Sequence, residues 1–422
     1  MSANIDVFEK NESGVRSYCR KFPKEFSHAR NAILTDTDGN EYIDFFAGAG
    51  AINYGHNNPY IKAAVINYLS EDHIIHALDM YTEAKEQFIT TLMDTVLRPR
   101  RLEYKVMCCG STGTNAVEAA IKLARKVKRR TNIFAFTGAF HGMTLGSLAM
   151  TGDRYSRNGA GVPLNNVTFV PYFDYFDDPS ISLDYLEKVL SDDHSGIDKP
   201  AAIITETVQA EGGINVAPIE WLQRLRSICD ANDVLLIVDD IQVGVGRTGS
   251  FFSFERAGIV PDMVVLSKSI SGFGLPMSIL LMKPEYDCFS PAEHNGTFRG
   301  NQLAFVGSKA GMEYYRDNNL DDVVTRKSEI IRNFLESEML TTDSRLMVRG
   351  IGMIWGIDFS RIDSAMALKA SHACFDKGLV IELAGREDCV LKILPPLTIE
   401  YEKLMEGLLI IRTVVSELLN AK

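Results

Sequence analysis

Between residues 104 and 282 the chain repeats one unit, a short run of consecutive apolar residues followed by a longer segment with apolar positions every three or four residues. The clearest runs are 106–109, 133–136, 201–204, 234–238 and 263–266. A run without polar alternation suits a strand covered on both faces. Such strands alternating with amphipathic helices predict an α/β architecture with a mostly parallel central sheet. The helix after the first run is the best defined. Val117, Ala120, Ile121, Ala124 and Val127 recur at helical spacing, and Lys126, Lys128, Arg129 and Arg130 gather at its C-terminal end, where cations complement the helix dipole. Its start falls at 113–115.

The flanks have a different texture. Asp38-Gly39 reads as a hairpin turn between Ile33-Leu34 and Tyr42-Ile43, and the chain after about Asn301 is mainly helical with a few short strands. The predicted organisation is a large domain over 61–300 and a small α+β domain built from both chain ends, 1–60 and 301–422. Composition narrows the partners. A formal charge of -11 over 422 residues disfavours nucleic acid or an anionic membrane, which leaves small molecules. The seven cysteines are odd in number and scattered, so they give neither a disulfide framework nor a metal-ligand spacing. With no signal-peptide pattern and no apolar stretch of membrane-spanning length, the reading is a soluble, cytoplasmic protein.

Three of the buried-type runs end in reactive residues: Thr205-Glu206, Val238-Asp239 and Ser267-Lys268. In open parallel sheets ligands bind at the carboxyl ends of strands. Singly, Lys268 reads as a snorkelling surface lysine and Asp239 as a helix cap; together on one sheet edge they read as chemistry. An acid and a lysine without metal ligands suit Schiff-base catalysis with pyridoxal phosphate, in which the lysine holds the cofactor and the acid keeps its ring nitrogen protonated. The run 110–114, Gly-Ser-Thr-Gly-Thr, passes from a strand into the amphipathic helix and offers amides and hydroxyls to a phosphate. A rival, Gly244-Val245-Gly246-Arg247-Thr248-Gly249, matches the G-x-G-x-x-G dinucleotide pattern, but no amphipathic helix follows it and no acid ends a strand about 20 residues on.

These residues resemble the class III aminotransferases of the fold-type I pyridoxal-phosphate superfamily over almost the whole chain. The resemblance rests on the stretch 110–120, on Ala139-Phe140-His141-Gly142, on Asp239-Asp240-Ile241-Gln242, on 266–272 around Lys268 and on 295–301. It implies a fold-type I transferase using pyridoxal 5'-phosphate. Gly113 and Thr114 would hold the phosphate, Phe140 and Ile241 would face the ring, and Asp239 and Gln242 would take its nitrogen and hydroxyl. Lys268 would be the catalytic lysine. Thr297 would reach the partner subunit's phosphate, which implies a homodimer. Asp240 departs from the family's usual glutamate. Glu206 is placed near the cofactor by position alone, through Gln242 or the ring hydroxyl.

Within the family, the stretches 12–20, 45–50 and 293–301 resemble the 2,4-diaminobutyrate transaminases of ectoine biosynthesis. That likeness implies amino transfer between L-glutamate and L-aspartate 4-semialdehyde. Ornithine, GABA or diamine aminotransferases, and diaminobutyrate enzymes of siderophore or antibiotic assembly, stay open as alternatives. The small residues Gly48, Ala49 and Gly50 imply a different substrate wall from ornithine-type relatives. Lys392 stands before Pro395-Pro396 where those relatives carry a dicarboxylate-gripping arginine, and a lysine is a point charge without that fork. Lys392 paired with Glu211 when the site is empty, or Lys392 as a solvated strand-end residue, are both open, and Arg16 is a further carboxylate candidate.

Overall fold

The computed structural model describes residues 5–420. Near its start, β1 (Phe26–Arg30), β2 (Ile33–Asp36) and β3 (Glu41–Asp44) form an antiparallel ladder in which Ile33 faces Ile43 and Leu34 faces Tyr42. The expected hairpin turn is present. The Asp36 carboxylate closes it by accepting the N–H groups of Asp38 at 3.0 Å and Asn40 at 2.8 Å.

The middle of the chain supplies β4 (Lys105–Cys108), β5 (Ile133–Phe136), β6 (Val167–Val170) and β7 (Ala202–Thr205), then a two-residue ladder of β8 (Val208–Gln209) with β9 (Asn215–Val216). β10 (Leu235–Asp239), β11 (Met263–Leu266) and β12 (Ile279–Met282) follow. Seven of these make one sheet in the order β4-β12-β11-β10-β7-β5-β6, parallel except for β12, which runs against β11 and β4. The apolar runs all became strands. What the pattern did not give is the reversed direction of β12, because a fully buried run reads the same either way.

Strand pleating divides the core. Leu235 and Ile237 face Ala120, Ile121 and Ala124 of the helix Gly113–Lys128, while Leu236 and Val238 face Trp221, Leu222 and Leu225 of the helix Ile219–Ala231. Each fully buried aliphatic side chain of this kind contributes about 1.5–3 kcal/mol. Ala304, Phe305 and Met312 of the helix Gln302–Asp317 join the same large core, although that helix lies beyond the division expected at 301.

The last strands are β13 (Met347–Ile351), β14 (Ile354–Asp358), β15 (Leu379–Val380), β16 (Glu382–Ala384) and β17 (Val390–Ile393). β15 pairs with β3 in parallel, so the two chain ends share one sheet, and β13-β14-β17-β16 form a second, antiparallel one. Among the described residues no helix is long and apolar enough to cross a membrane.

The glycine-rich run at 244–249 is a structural joint. Arg247 is fully buried, and its guanidinium donates to Met353 O at 3.0 Å, to Pro395 O and to Asn53 Oδ1 at 2.6 Å. These bonds tie the loop after β10 to the turn before β14 and to the Pro-Pro pair. Replacing Arg247 with Met removes a costly buried charge but leaves three oxygens without donors, so a net loss of about 2–4 kcal/mol is expected. Guanidinium denaturation measures it. A loss below about 0.5 kcal/mol, the range of an ordinary surface change, would refute the joint.

Candidate active site

Parallel pairing sets the strand ends side by side. Val238 lies opposite Thr205 on one neighbour and Val264 on the other, so Glu206, Asp239 and Lys268 emerge at one edge. Asp239 ends a strand buried along its whole length. Its Oδ2 lies 2.7 Å from His141 Nδ1, and its Oδ1 accepts the Ile241 N–H at 3.2 Å. Burial opposes charging of the His141 ring, but the bond to Asp239 and its charge outweigh this and hold the imidazole above its ordinary value. The sequence had named the Ala139–Gly142 segment for Phe140; the partner of Asp239 was missed.

Glu206 is fixed by the Phe140 N–H, which donates to Oε1 at 2.9 Å, a contact outside the two expected routes, Gln242 and the ring hydroxyl. Burial, with Asp239 close by, pushes its carboxyl up to about 8. Asp240 turns away from the cleft to accept the Ser253 N–H at 3.0 Å, and burial lifts it to about 7. Its departure from the usual glutamate is therefore absorbed behind the site.

Lys268 follows β11 in a short helical turn and itself has a left-handed backbone, φ 52°. Its Nζ donates to Ala49 O at 2.9 Å, and the same carbonyl accepts Gln242 Nε2 at 2.8 Å. That carbonyl is presented by an unusual turn. Ala47, Gly48, Ala49 and Gly50 all have positive φ, a conformation costing roughly 1–2 kcal/mol at each non-glycine residue. The Ala-Gly-Ala-Gly run tolerates it because no side chain is longer than a methyl group. Ser269 braces it, donating to Gly50 O at 2.7 Å and accepting the Asn53 N–H at 3.1 Å. Burial lowers the Lys268 ammonium below its ordinary value, partly offset by Glu211.

Lys392 is no solvated strand-end residue. Fully buried, its Nζ lies 2.7 Å from Glu211 Oε1, the expected partner, and 2.9 Å from Glu382 Oε2, which the sequence did not point to. The two acids outweigh burial and raise its ammonium. Arg16 stays with its own segment, 3.2 Å from Glu9 and 3.6 Å from Glu12. A cleft of about 610 Å³ opens between Phe140, Arg154, Glu211, Gly385 and Arg386.

The expected cofactor-holding groups fit a flat aromatic ring with a phosphate. Gln242 Oε1 is buried with no hydrogen-bond partner, left over for a donor. At Gly113 a Cβ would sit 2.7 Å from Ile241 Cδ1, so only glycine lets the helix start approach Ile241 this closely. Thr114 Oγ1 bonds the Thr144 and Ser147 hydroxyls, at 2.6 and 2.8 Å. Thr297 is exposed, beside Phe298, on the segment that precedes the helix Gln302–Asp317.

The sequence pattern described as aminotransferase class-III matches residues 18–415. A diaminobutyrate--2-oxoglutarate transaminase of Streptomyces anulatus is 53% identical over 405 residues, covering 96% of each chain. One of Bordetella parapertussis is 50% identical over 419 residues, covering 99% of this chain and 96% of its own. Among solved structures, an ornithine aminotransferase of Toxoplasma gondii is similar with a TM-score of 0.86 at 24% identity, covering 99% of this chain and 94% of its own.

The His141–Asp239 bond gives a direct test. In Asp239→Asn the imidazole keeps its burial and loses its anion, so its pKa should fall from above about 6.5 to below it. Titration of the histidine-labelled protein by NMR follows this; an unmoved His141 would mean that another group holds its charge.

Proposed function

The chain belongs to the class III aminotransferases, and from that premise we propose that it transfers an amino group between L-glutamate and L-aspartate 4-semialdehyde. The products are 2-oxoglutarate and L-2,4-diaminobutyrate. The observation that carries this reading is the roughly half-identical, full-length match to relatives bearing that activity in their names. The cofactor is pyridoxal 5'-phosphate, which when bound supplies an aldehyde for amino groups and a ring that draws off electrons from the substrate carbon.

The residues divide the work. Asp239, held by His141, would keep a proton on the ring nitrogen, and Gln242 Oε1 would accept a hydrogen bond from the ring hydroxyl. Phe140 and Ile241 would face the ring, while Gly113 and Thr114 would hold the phosphate at the start of a 16-residue helix. Lys268 Nζ moves the proton at the substrate carbon that carries the amine. Its burial supports this role, because desolvation favours the neutral amine, the form that can accept a proton.

The same reading includes a homodimer, ectoine biosynthesis as the pathway, and a reducing, cytoplasmic setting. The dimer is supported by exposed Thr297 and Phe298 and by an open hollow of about 1220 Å³ lined by Leu78, Tyr81, Phe289 and Arg299. The free cysteines suit the compartment.

Lys268→Ala should abolish transfer, a loss of at least ~100-fold in single-turnover assays, with circular dichroism unchanged. Near-normal turnover would remove Lys268 from the mechanism, and turnover of glutamate with other acceptors in place of aspartate semialdehyde would replace the substrate. Thr297→Ala should weaken cofactor retention. In hybrid dimers with a Lys268→Ala subunit the loss should appear in the subunit that does not carry the threonine change, and loss in its own subunit would contradict the assembly.

A further inference from the structure

We infer that the Glu211–Lys392–Glu382 cluster reads the α-ammonium group of diaminobutyrate, with Glu382 setting the sign of its charge. The inference rests on the diaminobutyrate reading above and adds a residue outside the cofactor machinery.

Glu382 and Lys392 lie directly opposite each other in the antiparallel β16–β17 pair, so both side chains project on one face. Glu211 comes from the turn between β8 and β9, and it also lines the cleft that Phe140 enters. The Lys392 side chain has no exposed surface and that of Glu382 is 4% exposed, whereas Glu211 is 32% exposed and forms the cleft side of the group.

Two carboxylates and one ammonium leave one negative charge over. A further cation, Lys268, feels Glu211, Glu382 and Lys392. While Lys268 is protonated the four groups are balanced. When it is neutral, as a base must be, the cluster is left with an unmatched negative charge in a buried place, where an uncompensated charge is costly. A substrate cation supplies the match.

The two amino donors differ in this respect. Once its reacting amine is counted, glutamate offers only carboxylates, which the cluster repels. Diaminobutyrate reacts at its distal amine and still carries an ammonium on the α-carbon. Lys392 is already matched by two acids and is a poor grip for a carboxylate; Arg154 and Arg386 stand in the same cleft for that purpose.

The test compares L-2,4-diaminobutyrate with 4-aminobutyrate, which has the same distal amine and carboxylate but no α-ammonium. The holoenzyme is assayed with 2-oxoglutarate as acceptor. Glu382→Gln should lower the kcat/KM ratio of the first to the second by about tenfold or more, mainly through the KM of diaminobutyrate, as expected for one charge-assisted contact. The KM for glutamate should move less. The double variant Glu382→Gln with Lys392→Gln returns the cluster to one negative charge and should recover most of the ratio. It also decides the matter if the single variant fails to fold, as judged by its melting curve. A wild type that does not turn over diaminobutyrate sinks the functional reading and this inference with it. A wild type that does, with a ratio unmoved by Glu382→Gln, or equal losses on both substrates, or no recovery in the double variant, sinks this inference alone.

Discussion

A carboxylate at the end of a fully buried strand needs partners, and the way Asp239 finds them organises the edge of the seven-stranded sheet. Its strand lies between β7 and β11 in parallel register, which places Glu206 on one side and Lys268 on the other. One oxygen meets the His141 ring, the other a backbone N–H. His141 in turn is held by its N–H bond to Thr151 Oγ1 at 3.0 Å, and Phe140 by its N–H bond to Glu206. The segment expected to cover the cofactor ring is thus positioned by the same two acids that end the neighbouring strands. The edge of the sheet and the lid over it are one hydrogen-bonded unit.

A second charge centre, Glu211–Lys392–Glu382, joins the β8–β9 turn to the β16–β17 pair. Lys268 stands between them, with Asp239 and the Glu211–Lys392–Glu382 cluster all contributing to its electrostatic environment. The contact that fixes it in this structure is to neither, but to the carbonyl of Ala49. A left-handed turn is the means by which a short segment near β3 aims that carbonyl and the carbonyl of Gly50 at the loop after β11. Backbone strain of this kind persists only where the surroundings fix it, and here Ser269, Gln242 and Lys268 do so.

What could be read in advance follows the range of the signal. Asp239, Lys268 and Glu206 were legible because each ends a run that is apolar on both faces, so its position along the chain already states its position on the sheet. The helix Gly113–Lys128 was legible from its own periodicity and charge gradient. Glu382 was not, since Ile381-Glu382-Leu383 reads as an alternating strand with an outward acid. Only the register with β17, set by residues about ten positions away, turns it onto Lys392. The left-handed turn was equally hidden. Ala-Gly-Ala-Gly announces small size, and the sequence reading took it as a substrate wall, whereas the geometry also makes it a backbone acceptor for Lys268. The buried guanidinium of Arg247 escaped for a third reason: its partners are carbonyl oxygens, which have no sequence signature.

A lysine at 392 becomes intelligible once Glu382 is in view. A guanidinium is planar and favours one carboxylate taken side-on through two parallel bonds. Here two carboxylates approach from different elements, one across a strand pair and one from a turn, at 2.9 and 2.7 Å from a single nitrogen. An ammonium is a point charge and meets that arrangement without choosing between the acids: it donates a hydrogen bond to Glu211 and is paired with Glu382 by charge. The lysine and the second acid are therefore one feature of the chain.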